Sequence, residues 1–560
     1  MSFRPFYSSL IFLLSITTLS AQSDPLVDIM KEEMNRQYEI LSKKTVPAYF
    51  ISYKASDNHT FNLTSSFGSL VDVNKSRSRS VNVIVRVGDY DLDNSHSSKQ
   101  GTRFQSRYGG TVPLPLNDNK ESIQQSLWLA SDLAYKISSE SYKMIDKAKE
   151  SETDRADFSK EEIVEYLEAP ISEDSIDLLT MQWSKKMTAW SSSFLDNDDI
   201  VEGTVQMRYS YGPQYFISTE GTTIRQNQAN AEIQISASIR SEDGNIIPLH
   251  KSYFAAKPSD LPLEKNISAD IQNMITKLGQ LKTAPLAEPY AGPAIFSGSS
   301  SGVFFHEIFG HRIEADRLSK NDDSQTFKEK IGQRVLPKFI DVTSDPTLDS
   351  YKDYYLSGTY VYDEEGVKSQ RVELVEDGIL KDFLRSRKPL TKGQKSNGHS
   401  RAQTGLSPVS RQSNLIISSE KRVPDEDLRK MLIKACKKQK ASFGLYIKSV
   451  AGGYTMTDRY RPNAFSITPT EVYKIYADGR PDELVRGVDL IGTPLTMFSE
   501  IQATGNSDEI FYGYCGAESG YIPVTATAPA IFVRKIETQK RLERNIDEPI
   551  LEDPNFHIEK

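Results

Sequence analysis

Apolar residues in the first part of the chain recur with two different periods, and each change of period marks a new element. Leu26, Ile29, Met30, Met34 and Tyr38 fall three or four apart, the spacing of one amphipathic helix from Pro25 to about Lys44. Ala48 to Tyr53, Phe61 to Val73 and Val81 to Val87 are rich in β-branched and aromatic residues, with polar stretches between them that read as turns. Consecutive antiparallel strands are predicted there. After Asp118, whose Asp-Asn-Lys-Glu run has the form of a capping box, Ile123, Leu127, Ala130, Ala134 and Ile137 return to helical spacing. Further on, Ala231, Ile233, Ile235, Ala237 and Ile239 alternate with Glu232, Gln234, Ser236, Ser238 and Arg240. That pattern predicts a strand with one buried and one wet face, pairing with residues 215–218 or 222–226.

A helix is predicted around residues 269–281, and then Pro285, Pro289 and Pro293 crowd one short segment, which marks a domain boundary. The second half reads mostly as strands and turns, interrupted by one helix carrying His306 and another from Asp425 to about Lys438. The expected fold class is α+β. A mixed N-terminal α/β domain covers 22–284, a β-rich domain with a metal-binding helix covers 290–540, and 541–560 form a tail.

At 560 residues the chain exceeds one core, in keeping with two domains. A net charge of −8 supplies no basic surface, so no nucleic-acid partner is expected. Near the N-terminus, Arg4 precedes an apolar run from Leu10 to Leu14, followed by small residues at Ser20-Ala21. This is the order of a secretory signal peptide over residues 1–21, which predicts a periplasmic or secreted protein beginning near Gln22. The apolar run is too short for a transmembrane anchor. Export makes the cysteine count informative, because Cys436 and Cys515 are the only two. A disulfide scaffold is excluded, leaving either one bridge or one packed thiol and one with a chemical task.

Residues 306–311 read His-Glu-Ile-Phe-Gly-His. Two imidazoles at i and i+4 of a helix sit about 40° apart and can share a metal, but i+5 separates them by about 140°. Gly310, directly before His311, lets the helix take up the extra residue as a π-bulge or a local unwinding. A catalytic zinc needs three protein ligands and an open position. With His306 and His311 as two, the candidates for the third are Glu314, Asp316, His399 and Cys515. Cys515 is preferred, because a thiolate binds zinc strongly and the glycines of Tyr512-Gly-Tyr-Cys-Gly516 leave it accessible. Glu314 and Asp316 then become acceptors that fix the imidazole tautomers. Glu307 is placed to take a proton from water as general base and to return it to the leaving amine. His399 and Arg401 are candidates for steadying substrate or an oxyanion.

The stretch Tyr290-Ala-Gly-Pro-Ala-Ile-Phe-Ser-Gly-Ser-Ser-Ser-Gly-Val-Phe-Phe-His-Glu-Ile-Phe-Gly-His-Arg-Ile-Glu-Ala-Asp316 resembles the signature of the TldD/PmbA metalloprotease family. Further matches are Tyr362-Asp-Glu-Glu-Gly366, Val375-Glu-Asp-Gly-Ile-Leu380, Ser396-Asn-Gly-His-Ser-Arg401 and Cys515-Gly516. The resemblance implies zinc held by His306, His311 and Cys515, with Glu307 as the catalytic acid/base. It also implies a homodimer, or a heterodimer with a family member, enclosing a site for extended, unfolded peptides held along an exposed strand. The chain departs from cytoplasmic members at Ala517-Glu-Ser-Gly520, where they carry a Lys and a Gln. The expected function is a zinc-dependent peptidase. The alternatives are a noncatalytic peptide-binding subunit and a zinc amidase with a cell-envelope substrate.

Overall fold

Two sheets carry the molecule in the computed structural model, which describes residues 24–96, 112–145, 155–171, 176–318, 326–455, 465–492 and 494–541. The signal-peptide stretch and the tail beyond 541 lie outside the described residues. The first sheet grows from two long hairpins. β1 (Ala48–Ser66) pairs antiparallel with β2 (Ser69–Val87), and β3 (Ile200–Ser218) with β4 (Thr223–Arg240). β1 joins β3, β5 (Ile246–Ala255) adds to β4, and two short strands complete a sheet of seven.

Side chains alternate across a strand, so the odd-numbered residues of these strands share one face. Tyr53, Phe61, Leu63, Met207, Ile217, Ala231, Ile233 and Ile235 are buried there. Four helices cover them: α1 (Pro25–Leu41) and α2 (Lys120–Lys143) over one end, α3 (Ile176–Ser192) and α4 (Glu264–Thr283) over the other. The even-numbered face carries Asn62, Thr64, Gln206, Arg208, Glu232 and Gln234, and it faces the C-terminal half across a cleft.

The structure departs from the sequence-based expectations at several places. Residues 54–60 and 74–80, expected as turns, lie inside β1 and β2, where the ladder satisfies their backbone groups. Asp57 also accepts hydrogen bonds from Arg77 and Arg79, each at 2.8 Å. Polar residues suffice in a strand whose outer face meets water. Residues 223–226 open β4 itself, so they are not the partner of 231–239, which pair with the first half of β3 and with β5. The N-cap of α2 is Asn119, accepting from Ser122 N at 2.9 Å, one residue after the expected Asp118.

In the C-terminal half, a twelve-stranded sheet wraps one buried helix. Following β6 (Tyr290–Phe296) comes α5 (Gly298–Ile308), whose Val303, Phe304, Phe305 and Ile308 are all sealed in the core. The apolar residues of this helix must be enclosed, while Ser299, His306 and Glu307 border a cleft. The enclosure comes from β7 (Ile340–Ser344), β8 (Val372–Glu376), β9 (Asn414–Ser419), β10 (Phe443–Thr455), β11 (Phe465–Tyr476), β12 (Val488–Gly492), β13 (Ile501–Ala517) and β14 (Gly520–Lys540). The long β14 pairs with β9, β12, β13 and β6, so the path through β12, β11, β10 and β6 closes on itself. Outside lies α6 (Asp425–Gln439), packed through Leu428, Leu432 and Cys436. The architecture is α+β, and no described helix is long and apolar enough to cross a membrane.

Aromatic and ionic contacts join the halves. Phe158 lies between the guanidinium groups of Arg86 and Arg387, at 3.8 and 3.9 Å from its ring centre. Arg387 also grips Glu220 with two hydrogen bonds of 2.8 Å. At the other end Lys277 of α4 meets Glu471 of β11 at 3.0 Å, and Phe254 of β5 stacks on Tyr512 of β13 at 5.1 Å.

Candidate metal centre

The spacing of His306 and His311 is accommodated by ending the helix. α5 stops at Ile308, Phe309 caps it, and Gly310–Arg312 make a single 3-10 turn. The chain therefore unwinds locally, and no π-bulge forms. Ending a helix in a buried place orphans its last carbonyls, which need donors. Arg312 Nη1 donates to the carbonyls of Glu307 and Ile308 at 2.9 Å each, and Gln412 Nε2 donates to that of His306 at 3.3 Å. Gly310 is required for space: a Cβ there would lie 1.8 Å from Gln412 Oε1 and would expel the amide.

The turn brings His311 back beside His306, with ring centres 5.0 Å apart and planes at 80°. Cys515, near the end of β13, completes the group. Its Sγ lies 3.3 Å from His306 Nε2 and 3.4 Å from His311 Nε2, and all three donor atoms fall within 4.8 Å of one another. Tetrahedral zinc, with bonds of about 2.0–2.3 Å, holds its ligands roughly 3.3–3.6 Å apart. The donor set and its spacing fit that ion.

Charge pairs the same atoms with one another. Burial alone raises a thiol, but the His311 and His306 rings hold the Cys515 thiol well below its ordinary value. Burial lowers an imidazole, yet Cys515 and Glu314 together push His311 up to about 10. Glu314, buried beside His311, Arg317 and Arg411, stays well below the usual carboxylate range. Its Oε2 lies 3.2 Å from His311 Nδ1 and accepts from Arg317 Nε at 2.7 Å. Asp316 serves elsewhere, accepting from Ser386 Oγ at 2.6 Å while its own N–H goes to Ser410 Oγ. Of the two expected tautomer-fixing carboxylates, Glu314 is the one that meets an imidazole.

Glu307 points into the cleft with His306, His311 and Cys515, its Oε2 3.9 Å from His311 Nε2. Burial raises its carboxyl above the ordinary value, against the lowering pull of the two imidazoles. Gly453 of β10 lies directly against it, since a Cβ at that glycine would stand 2.8 Å from Glu307 Cγ. The cleft measures about 1610 Å³, and the polar face of the first sheet forms its opposite wall. Sites for small molecules typically enclose about 300–1,000 Å³. This one has room for a length of polymer.

His399 and Arg401 do not reach the cleft, contrary to their expected role against substrate. His399 is fully buried, with Nε2 3.1 Å from Ser344 Oγ and Nδ1 3.0 Å from the Asn397 carbonyl. Arg401 donates to the carbonyls of Gln412 and Pro523 at 2.8 and 2.9 Å and lies over the Tyr360 ring. Both support the chain behind the metal ligands. Burial pushes His399 down to about 3 from an ordinary 6.5. Between those values the unfolded chain takes up a proton that the folded chain refuses, so stability falls as pH falls, by about 1.4 kcal/mol per pH unit from this group. His399→Gln is expected to remove that slope, measurable by denaturant titrations at pH 6.5 and pH 4.

The sequence reading missed Arg312, Gln412, Arg317 and Arg411. A basic residue directly after His311 was a legible sign of a capped helix end. Gln412 and Arg411 reach the site from about 100 residues away, and no local pattern marks them.

Residues 289–540 match the PmbA/TldA metallopeptidase C-terminal domain. The C-terminal half thus carries a TldD/PmbA-family domain. A metalloprotease of Methanocaldococcus jannaschii is 27% identical over 399 residues, covering 70% of this chain and 76% of its own length. A zinc metalloprotease TldD homolog of Saccharolobus solfataricus is 26% identical over 274 residues, 48% of this chain and 56% of its own. Among solved structures, TldE from Thermococcus kodakarensis superposes with a TM-score of 0.61 at 13% identity, covering 91% of this chain and all of that one. That likeness extends the shared fold to both halves. The named relatives make metallopeptidase the family-level activity.

Proposed function

We propose that this chain is a zinc peptidase of the TldD/PmbA family that hydrolyses extended or unfolded peptides in the cleft between its two sheets. One observation carries the reading: two imidazoles and a thiolate converge on a single point, with the Glu307 carboxylate beside them on an open cleft wall. His306, His311 and Cys515 would hold the ion, and Glu314 fixes the His311 ring through Nδ1. Zinc bound there supplies a Lewis acid that makes water acidic near neutral pH and polarises a peptide carbonyl. Glu307 takes the proton of the attacking water on its carboxylate and delivers it to the departing amine.

The shape of the cleft supports an extended substrate. Residues Ser449 to Thr455 of β10 border it beside Glu307 and pair with β11 on one side. β6 covers the other side only along Leu445–Ile447, so beyond it a peptide backbone can add to the sheet. Pairing with a second copy or another family member, and action outside the cytoplasm after removal of residues 1–21, belong to the same proposal.

The test is a purified mature chain assayed for zinc content and for cleavage of unstructured peptides, before and after chelation. Stoichiometric zinc, cleavage lost on chelation and cleavage restored by zinc are the expected results. Cleavage indifferent to chelation would sink the reading. Zinc without peptidase activity would favour a cell-envelope amidase or a peptide-binding subunit.

A further inference from the structure

Behind the metal ligands runs Val409-Ser410-Arg411-Gln412, a segment that no part of the proposed chemistry uses. Three consecutive side chains of it touch three different parts of the centre. Ser410 Oγ accepts from the backbone N–H of Asp316, and Gln412 Nε2 donates to the His306 carbonyl. Between them, Arg411 reaches the strand of Cys515 and, beside Asp316, the Glu314 carboxylate. Its Nη2 donates to the Cys515 carbonyl at 2.6 Å, and its Nη1 donates to Ser519 Oγ at 2.8 Å and to the Gly520 carbonyl at 3.2 Å. On its other edge, Nε stands 3.7 Å from Glu314 Oε1, the carboxylate whose second oxygen meets His311.

We propose that Arg411 is the positioning residue of the metal centre, fixing the strand that carries Cys515 relative to the Glu314–His311 pair. The inference rests on the zinc reading above and assigns a new role within it. Arg411 is completely buried, and a buried cation is strongly unfavourable unless its donors and charge are matched. Here the partners come from β13, from the turn into β14 and from the residues after α5, elements far apart in sequence that this one side chain touches together. A planar fork holds several acceptors at fixed angles, which a lysine ammonium on a flexible stem does not. The short pairing of Ser400–Arg401 with Val409–Ser410 keeps the segment in place, helped by the His399 carbonyl, which accepts the Arg411 N–H at 2.9 Å. His399 and Arg401 thus serve the centre by holding Arg411 and Gln412.

The experiment uses the mature chain with Arg411→Met and Arg411→Lys beside the wild type. Zinc affinity is measured by competition with a chromophoric chelator, and the cobalt-loaded proteins are compared by their thiolate-to-cobalt charge-transfer and ligand-field bands. Arg411→Met is expected to bind zinc about 10–100-fold more weakly, the usual consequence of removing a partner just outside the ligands, and to shift the cobalt bands. Arg411→Lys, retaining the charge and one donor, is expected to fall between. Arg411→Met with wild-type affinity and an unchanged cobalt spectrum would overturn the proposal. If Arg411→Met does not fold, Arg411→Lys decides by the same two readouts. A wild-type chain that binds no zinc would remove the zinc reading and this role with it, whereas equal binding by all three chains would remove Arg411 alone.

Discussion

Glu307→Gln is expected to lower peptide turnover by about 10²–10⁴-fold while leaving the zinc content unchanged. The two side chains have the same shape, so the packing of Gly453 against Glu307 Cγ is preserved and the helix end stays in place. What disappears is a proton acceptor. Glu307 is outside the group of three donor atoms that converge within 4.8 Å, so metal binding has no need of its charge. Its buried position, which raises the carboxyl, makes it a better base for water than an exposed glutamate, and an amide has no such basicity. The predicted loss corresponds to roughly 2.7–5.4 kcal/mol of transition-state stabilisation. Turnover of an unstructured peptide, measured together with zinc content by elemental analysis, checks both halves of the prediction. A Glu307→Gln chain that cleaves at the wild-type rate would take the proton-transfer role from this residue and leave the peptidase reading without its base.

The sequence carried the helix end and the metal donors more legibly than the rest of the centre, for a physical reason. His306, Glu307, Gly310 and His311 stand within six residues, where spacing alone states the geometrical problem and a glycine suggests its resolution. Cys515 was reachable by chemistry, because a chain with only two thiols has few uses for one flanked by glycines. Arg411 and Gln412 come from a segment about 100 residues away in sequence, just after the short strand Val409–Ser410, and contribute through length and hydrogen-bonding geometry, properties with no period to read. His399 and Arg401 show the reverse error: polar residues in a quoted motif suggested contact with substrate, whereas burial assigns them to support. In the fold, the alternation of Ala231 to Arg240 located β4 and its wet face, but the same logic was not extended to β1 and β2. Their polar stretches were expected as turns because the ladder that satisfies their backbone groups leaves no mark in the side-chain pattern.

Cys515→Ala is expected to weaken zinc binding by more than the ~100-fold upper end for residues just outside the ligands, because it removes a donor itself. Two imidazoles remain, one fewer than a catalytic zinc ordinarily holds. The change breaks no disulfide, since both cysteines are free and Cys436 is packed against Leu428 and Leu432 of α6. The thiolate is the form that binds metal, and here the fold already holds it through the two imidazoles. The consequence is visible as stability. Zinc at a hundred times its dissociation constant stabilises the folded wild type by about 2.7 kcal/mol, and that increment should vanish in Cys515→Ala at the same zinc concentration. Cys436→Ala should keep it, whatever it costs the core, because that side chain lies in another cluster. Thermal midpoints of the three chains with and without zinc give the comparison directly. If Cys515→Ala kept the full increment, a different third donor would be needed. Glu314 meets His311 at Nδ1, the nitrogen turned away from the shared point, and Glu307, 3.9 Å from Nε2, is the proposed base, so retention would overturn the assignment of the centre rather than adjust it.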